Sequence, residues 1–518
     1  MGFGSFIKNQ FYSTDLISAQ EPVGANQPPT RRQIYVNRLN KGVNLGGMFV
    51  LEKWIAPHMF PEGEDNGKTA EFDAIQAALK KFSGDANKVR EMWETHWSTW
   101  ISDDDWAWLA SVGVTSVRLP IGYWNVDACS FIGSTDFDGL DQIYHNSWDF
   151  IQKYVLEKAI AHNIGVLIDV HAVPGGANSA DHSGISTAQG ALWESNKCQV
   201  KTLRVLQYLA EAVKAYENVV GIQVLNEAPF ADDWETQRSF YLKALHVVRE
   251  INTEIPVIIS DGWDLPSWID WVKKCDSDAG TPVGLILDEH VYRTFSDKDR
   301  NTAPRQLIDE IEKALPNSCA QDVDVQVGEF SCVMDGHSWE LNNSGTSRED
   351  LVHEFGNRQC ALFNQKAAAY YFWTYKFRYG SGGEWGFREM QEKGCLSTGF
   401  ASNKFPSDRA PDDNYYAEQY HHAAQQAIGN HTNYWNSQDG NRDWQHWRFE
   451  DGFRVGWLDA QEFDKFNHSE IGRRAAWKAA RTDQHAAEKG GSDLLWVFGQ
   501  AFDQGVASFL EARNRAFN

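Results

Sequence analysis

Eight short apolar runs, each followed by room for an amphipathic helix, set what this chain can fold into. The runs are 41–46 (Lys-Gly-Val-Asn-Leu-Gly), 114–120 (Val-Thr-Ser-Val-Arg-Leu-Pro), 165–171 (Gly-Val-Leu-Ile-Asp-Val-His), 219–226, 256–261, 284–290, 323–329 and 368–374. Near-continuous apolar strands belong to parallel sheets covered on both faces. The segments between them carry helical period: Leu203, Val205, Leu206, Leu209, Ala210 and Val213 share one face of 201–217, and 236–252 behaves similarly. Strands alternating with helices in this number predict an α/β fold, a (β/α)8 TIM barrel with long loops spanning roughly 34–400. Residues 1–33 are polar and irregular and form an N-terminal arm. The barrel domain runs 34–414, with the Gly-, Ser-, Asp- and Pro-rich stretch 377–415 as a long loop. Residues 415–518 form a C-terminal, mainly helical extension, with helices at 415–428, 459–483 and 493–514, expected to pack on the barrel. An aromatic segment (Tyr434, Trp435, Trp444, Trp447, Phe449, Phe453 and Trp457) lies between them.

The charge balance narrows the partners. Across 518 residues the formal net charge is -23. Such a surface disfavours nucleic acid and anionic membranes, and a neutral ligand such as an uncharged sugar suits it better. No apolar run approaches the roughly 18 residues of a membrane span. The N-terminus lacks a basic segment followed by an apolar stretch, so no secretory signal is expected. Met1-Gly2 hints at myristoylation, but Phe6 stands where Ser or Thr is wanted. Seven cysteines are scattered without CxxC or Cys/His zinc spacing. The simplest reading is reduced thiols in the cytoplasm, with a trimmed secreted form left open. Asn342, Asn430 and Asn467 head N-x-S/T sequons, a weak signal in this length.

Chemistry concentrates at the strand ends. Glu227 and Glu329 close two of the apolar runs, where a buried carboxylate costs several kcal/mol unless it is paired. In a parallel barrel these ends meet at one rim. Asn226 shares the strand end of Glu227, and Arg118, His171, His290, Tyr292 and Trp373 lie at or just beyond other strand ends. Each alone has a structural explanation, as a satisfied core histidine, an ion pair or packing. Independent structural roles across six strands would be a coincidence. Paired carboxylates are the working parts of glycosidases. The 22 tryptophans are assigned mostly to core packing, although sugars also stack on such rings.

The chain resembles glycoside hydrolase family 5, most closely its exo-β-1,3-glucanase (glucan 1,3-β-glucosidase) branch, as an intracellular fungal-type member. The resemblance rests on Gly42-Val-Asn-Leu-Gly-Gly-Met-Phe-Val-Leu-Glu52-Lys-Trp54, His96-Trp-Ser-Thr-Trp-Ile101 and Val117-Arg-Leu-Pro-Ile-Gly-Tyr-Trp124. It continues through Ile168-Asp-Val-His171, Leu225-Asn-Glu227, His290-Val-Tyr292, Val327-Gly-Glu329 and Tyr371-Phe-Trp373. It implies Glu227 as acid/base, protonated in the resting enzyme, and Glu329 as nucleophile. Arg118 and Tyr292 would hold Glu329 ionised, and Asn226 would bind the sugar 2-hydroxyl. His171 and His290 would bind hydroxyls or orient the carboxylates, and Trp373 would lie beneath the sugar. Glu52 would accept hydroxyls of the terminal sugar, and Phe295 would sit at the leaving-sugar subsite. No metal or organic cofactor is implied. The loop after His171 and the tail depart from the branch. They leave the substrate open between β-1,3-glucan or gluco-oligosaccharides, and a glycolipid or an aryl or diglycosidic glucoside. A non-catalytic carbohydrate-binding barrel is the lesser alternative. Oligomeric state is not set by the sequence.

Overall fold

The computed structural model describes residues 13–17, 19, 27–60, 67–232, 234–319, 322–401 and 411–517. Eight parallel strands among them close into a barrel in sequence order, β1 hydrogen-bonded to β8. They are β1 Asn40–Asn44, β2 Ser116–Gly122, β3 Gly165–Ala172, β4 Val219–Gln223, β5 Val257–Ser260, β6 Leu285–Arg293, β7 Val325–Met334 and β8 Ala369–Phe372. Every residue of β2, β3, β4, β5 and β8 is buried, as a sheet covered on both faces requires.

The eight runs fall on the eight strands, but four strands extend beyond their predicted ends, β3 by Ala172 alone. β2 runs to Gly122, so Arg118 lies inside it and not at its end. β6 runs to Arg293 and β7 to Met334, which places His290 and Glu329 within strands. Register shifts at Glu289/His290 and between Val327 and Phe330 accompany this extension. A bulge bends a strand and re-aims a side chain, here at the rim where the polar residues gather. Glycine at 328 has a steric reason: a Cβ there would lie 2.1 Å from Asp288 Oδ1.

Helices follow the strands as the period predicts, for instance Asn196–Ala212 after β3 and Glu235–Arg249 after β4. The first begins earlier than its apolar stripe because the Ser195 side chain accepts from Cys198 N and caps it. The stretch expected as a long loop after β8 is partly ordered: it holds a turn at Gly383–Trp385 and a helix at Phe387–Glu392. Phe387 and Met390 bury themselves there, Phe387 against Phe372 and Phe400. Residues 402–410 lie outside the described residues.

The chain divides into two compact units, Met1–Ala19 with Asn40–Ala401, and Gln20–Leu39 with Ser402–Asn518. In the second, Arg31–Asn37 forms a helix opened by Thr30, whose side chain accepts from Gln33 N. Leu39 N donates to Glu470 O at 2.7 Å, and Gly472 N to Asn37 O at 2.8 Å. The longer helices described are Asp413–Gln438, His446–Lys465, Arg474–Lys489 and Leu495–Phe517. The predicted helix 459–483 is therefore two helices. Asn467 and His468 take positive φ between them, a conformation that no helix continues through. The buried aromatics Trp444, Phe449, Phe453 and Trp457 belong to this unit's own core, with Trp477, Phe502 and Phe509.

Two of these helices approach backbone to backbone. A Cβ on Gly456 would meet Phe502 O at 2.1 Å, and one on Gly505 would meet Phe453 O at 2.2 Å. Glycine to alanine in an open helix stabilises by up to about 1 kcal/mol. Here Gly456→Ala should instead destabilise the helical unit, by about 1–3 kcal/mol from overpacking. Urea unfolding followed by tryptophan fluorescence reads the sign, and a stabilised variant would refute the close approach.

Candidate active site

A buried guanidinium organises the rim. Arg118, on β2, is fully buried and reaches five side chains. Its Nη1 donates to Asn44 Oδ1 at 2.8 Å and to Glu329 Oε1 at 3.0 Å. Its Nη2 donates to Asn226 Oδ1 at 2.7 Å and lies 3.0 Å from Asp169 Oδ2, while Nε donates to Gln223 Oε1 at 2.9 Å. Burial opposes the charge, but Asp169, Glu329 and Asp288 outweigh it and hold the guanidinium more firmly protonated than in water. Charge-assisted bonds of this kind fix geometry as well as charge.

Glu329 binds this group, and Glu227 stands close to Glu329 with His290 beside both. Glu329 Oε2 accepts from the Tyr292 hydroxyl at 2.7 Å, and Oε1 from Arg118. Glu227 follows β4 with φ 47°, a left-handed backbone that turns its side chain off the strand line. One Glu227 oxygen, one Glu329 oxygen and a His290 ring nitrogen all lie within 4.8 Å of one another. His290 bridges carboxylates, with Nδ1 2.9 Å from Glu227 Oε1 and Nε2 3.0 Å from Asp288 Oδ2. Asp288 is held in turn by Gln223 and Gln326 amides, each at 2.7 Å. Burial disfavours the imidazolium, yet Glu329 and Asp288 push His290 well above the ordinary range.

The resemblance expects Glu227 to carry the proton in the resting enzyme, and burial by itself favours that. Burial raises this carboxyl, but hydrogen bonds from His182 and His290 hold it well below the usual range. His182, in the loop after β3, places Nε2 3.1 Å from Glu227 Oε2. It was missed in the sequence because it sits in the loop that departs from the resemblance, away from any strand end. His171 gives Nδ1–H to Asp169 Oδ2 at 2.6 Å and stacks along Trp373 at 6.0 Å. Burial lowers its pKa, which keeps the ring neutral.

Glu52 enters from the loop after β1. Burial raises it to about 7, although Trp54 Nε1 donates to Oε2 at 2.9 Å. The loop is tied down beneath it. Leu51 N donates to Glu71 Oε2 at 2.8 Å, and Glu71 Oε1 accepts from Trp93 Nε1 at 2.7 Å and from the Tyr144 hydroxyl. His96 contributes to the same loop through Nε2 and Gly47 O at 2.8 Å, so this part of the His96–Ile101 motif supports the site from behind.

These side chains line one cavity of about 540 Å³ with Glu52, Trp54, His171, His182, Asn226, Glu227, Trp263, Tyr292, Phe295, Glu329, Trp373 and Trp385 around it. All the predicted site residues border it except Arg118 and His290, which act from behind the wall. Aromatic rings form its mouth. Phe295 is 59% exposed, Trp263 52% and Trp54 48%. Trp385 carries no strand-end signal, and Trp263, two residues past the run 256–261, was not singled out. Glu227, His290 and Glu329 bring donor atoms of the kind that ligate cations. Each is already engaged by protein hydrogen bonds, which suits the cluster to proton and charge handling.

Comparison with known proteins shows what the chain is similar to. Residues 80–378 match the model of Cellulase (glycosyl hydrolase family 5), and residues 416–513 match the Glucan 1,3-beta-glucosidase 3 C-terminal domain. Over 490 residues the chain is 35% identical to an uncharacterised glycosyl hydrolase of Saccharomyces cerevisiae, covering 92% of each. It is 29% identical to Glucan 1,3-beta-glucosidase 3 of Schizosaccharomyces pombe, over 87% of this chain and 92% of that one. Among solved structures, a rutinosidase from Aspergillus niger shares the fold, with TM-score 0.53 and 18% identity over 70% of this chain and 98% of the other.

Two outcomes follow from the charges. Arg118→Met strands Asp169 and Glu329 without their cation, and breaking a buried pair this way typically costs about 3–5 kcal/mol. Chemical denaturation should show that loss, and a variant as stable as the parent would contradict the hub. Glu71 is raised by burial to about 7, above its ordinary value of 4.5. Its stabilising contribution is complete below about pH 4.5 and is lost as pH rises through about 7, by roughly 3 kcal/mol. Glu71→Gln should flatten the stability–pH curve between pH 5 and 8, and an unchanged slope would count against a protonated Glu71.

Proposed function

The chain belongs to glycoside hydrolase family 5, and on that premise we propose that it is a retaining, exo-acting β-glucosidase. It removes terminal β-glucosyl residues from β-1,3-glucan or gluco-oligosaccharides by double displacement. The observation that carries this reading is the close approach of Glu227 and Glu329. Retaining glycosidases hold their carboxyls about 5–5.5 Å apart, inverting ones about 6.5–9.5 Å, and one oxygen of Glu227 lies within 4.8 Å of one oxygen of Glu329.

In this reading Glu329 attacks the anomeric carbon while Glu227 protonates the departing oxygen. Arg118 and Tyr292 keep Glu329 ionised and aimed. Glu227 then takes a proton from water as the glycosyl–Glu329 bond is hydrolysed. Asn226 meets the 2-hydroxyl, where a hydrogen bond strengthens in the transition state. His171 turns towards sugar hydroxyls, Trp373 lies under the ring and Phe295 flanks the leaving sugar. Glu52 bonds the hydroxyls of the terminal sugar, which supports exo action. The seven cysteines, all unpaired, support a cytoplasmic setting for the enzyme.

A second reading draws on the mouth. The exposed rings of Trp54, Trp263 and Phe295 favour an apolar or aromatic aglycone. A substrate panel of laminaribiose, gentiobiose, an aryl β-glucoside and glucosylceramide separates the two.

Loss of a general acid typically slows the reaction about 10²–10⁴-fold, and Glu227→Gln should fall in that range on laminaribiose. Glu329→Gln should lose hydrolysis altogether, and Glu329→Gly with azide should yield an α-glucosyl azide. Proton NMR of the parent reaction should show β-glucose first. Appearance of α-glucose first, or full turnover by Glu329→Gln, would defeat the retaining assignment.

A further inference from the structure

Glu227 is gripped at both oxygens by imidazoles from different elements. His290 Nδ1, on β6, stands 2.9 Å from Oε1, and His182 Nε2, on the short helical turn Asp181–Ser183, stands 3.1 Å from Oε2. The loop carrying His182 is fastened to Glu227 itself. Asn178 Nδ2 donates to the Glu227 carbonyl at 2.9 Å, and Asn178 Oδ1 accepts from Ala180 N and from the Ser183 hydroxyl at 2.9 and 3.0 Å. The loop bearing His182 is thus bonded to the same residue whose carboxyl His182 contacts.

Carboxylates around His182 favour a cation, against burial and the Asn226 amide donor that faces Nδ1. Glu227, Glu52 and Glu329 all act on it from three different loops or strands, together outweighing the opposing effect of burial, and its pKa is raised to about 9. On its other side stand the neutral His171 ring, 5.1 Å away, and the Asn226 amide nitrogen, 3.4 Å from Nδ1. The positive groups nearby, Arg118 and His290, are each held by carboxylates of their own.

Resting on the assignment of Glu227 as acid/base, we propose that His182 is a positioning residue which stores the catalytic proton. Its imidazolium passes the Nε2 proton to Glu227, which delivers it to the leaving oxygen, and receives it back when Glu227 deprotonates water. In the first step the bond between the anomeric carbon and the aglycone oxygen breaks and the bond to Glu329 forms. The aglycone leaves as an alcohol, and His182 is left neutral. In the second step water replaces Glu329 on carbon, and its proton returns through Glu227 to His182. Each turnover restores the proton count. A Glu227 carboxyl held low by its imidazole partners is then compatible with acid catalysis, because the proton waits one hydrogen bond away.

The test compares the parent with His182→Asn, which keeps an amide donor and removes the titrating ring. Rates are measured against pH on methyl β-glucoside, whose leaving group needs a proton, and on 2,4-dinitrophenyl β-glucoside, whose leaving group does not. The basic limb of kcat/KM on the methyl glucoside should move down by at least about one pH unit in the variant. That corresponds to a loss of about tenfold or more at pH 8 and a small change near pH 5. Cleavage of the dinitrophenyl bond should stay within about threefold at both. An unmoved limb, or equal losses on the two substrates, would overturn the proposal. A second measurement does not depend on turnover. In protein labelled with ¹⁵N-histidine, the resonance missing from His182→Asn should titrate above pH 8 in the parent and fall towards 6.5 in Glu227→Gln. A parent His182 titrating at or below 6.5 would overturn the proposal. A raised His182 in a protein that cleaves no β-glucoside would instead overturn the glycosidase reading and leave the pairing standing.

Discussion

The Arg118 guanidinium is the constraint on which the rest of the site depends. An ion taken wholly out of water carries a desolvation penalty of several kcal/mol. The barrel meets it with a ring of acceptors drawn from different strands: Asn44 from β1, Asp169 from β3, Gln223 from β4 and Glu329 from β7, with Asn226 just past β4. Each acceptor is then bound to another group, Asp169 to His171 and Gln223 to Asp288. The barrel centre beneath the cavity is thus a polar lattice, and it leaves little freedom to Glu329. A carboxylate that is already solvated by fixed donors needs no reorganisation when charge moves during reaction.

Around that fixed charge the cavity distributes protons unevenly. Glu52 retains one near neutrality, His290 and His182 are favoured as cations, and Glu227 is favoured as an anion. Three carboxylates sharing a cavity cannot all ionise cheaply without such compensation. The imidazoles supply it. Imidazoles bonded to Glu227 draw its pKa down, an effect absent when the two glutamates are considered alone.

Much of this was legible in the chain. The strands followed from continuous apolar runs, because a doubly covered sheet leaves no polar alternation to blur them. The predicted polar residues converged because a closed parallel barrel brings its strands' carboxyl ends to one rim. Sequence period did not reveal that Arg118 lies mid-strand, since bulges and strand extension are set by neighbouring strands. It did not reveal His182 either: a loop residue reaches the site through tertiary bonds such as Asn178 to the Glu227 carbonyl. The break at Asn467-His468 was hidden because apolar residues continue on both sides of it, and only the backbone turns. Trp263 and Trp385 were missed for a related reason, as rim aromatics have no periodic neighbours.

The Glu71 anchorage under Leu51 has a thermodynamic consequence. Two indole and phenol donors and a backbone amide converge on one buried carboxyl, and the loop they fix presents Glu52 to the cavity. Ordering a free loop around a ligand would draw on its conformational entropy, at roughly 1–2 kcal/mol for each residue immobilised. In this fold that ordering is completed when the chain folds. A sugar arriving at the cavity would then meet a wall that is already set, and more of its contact energy would remain for holding the ring.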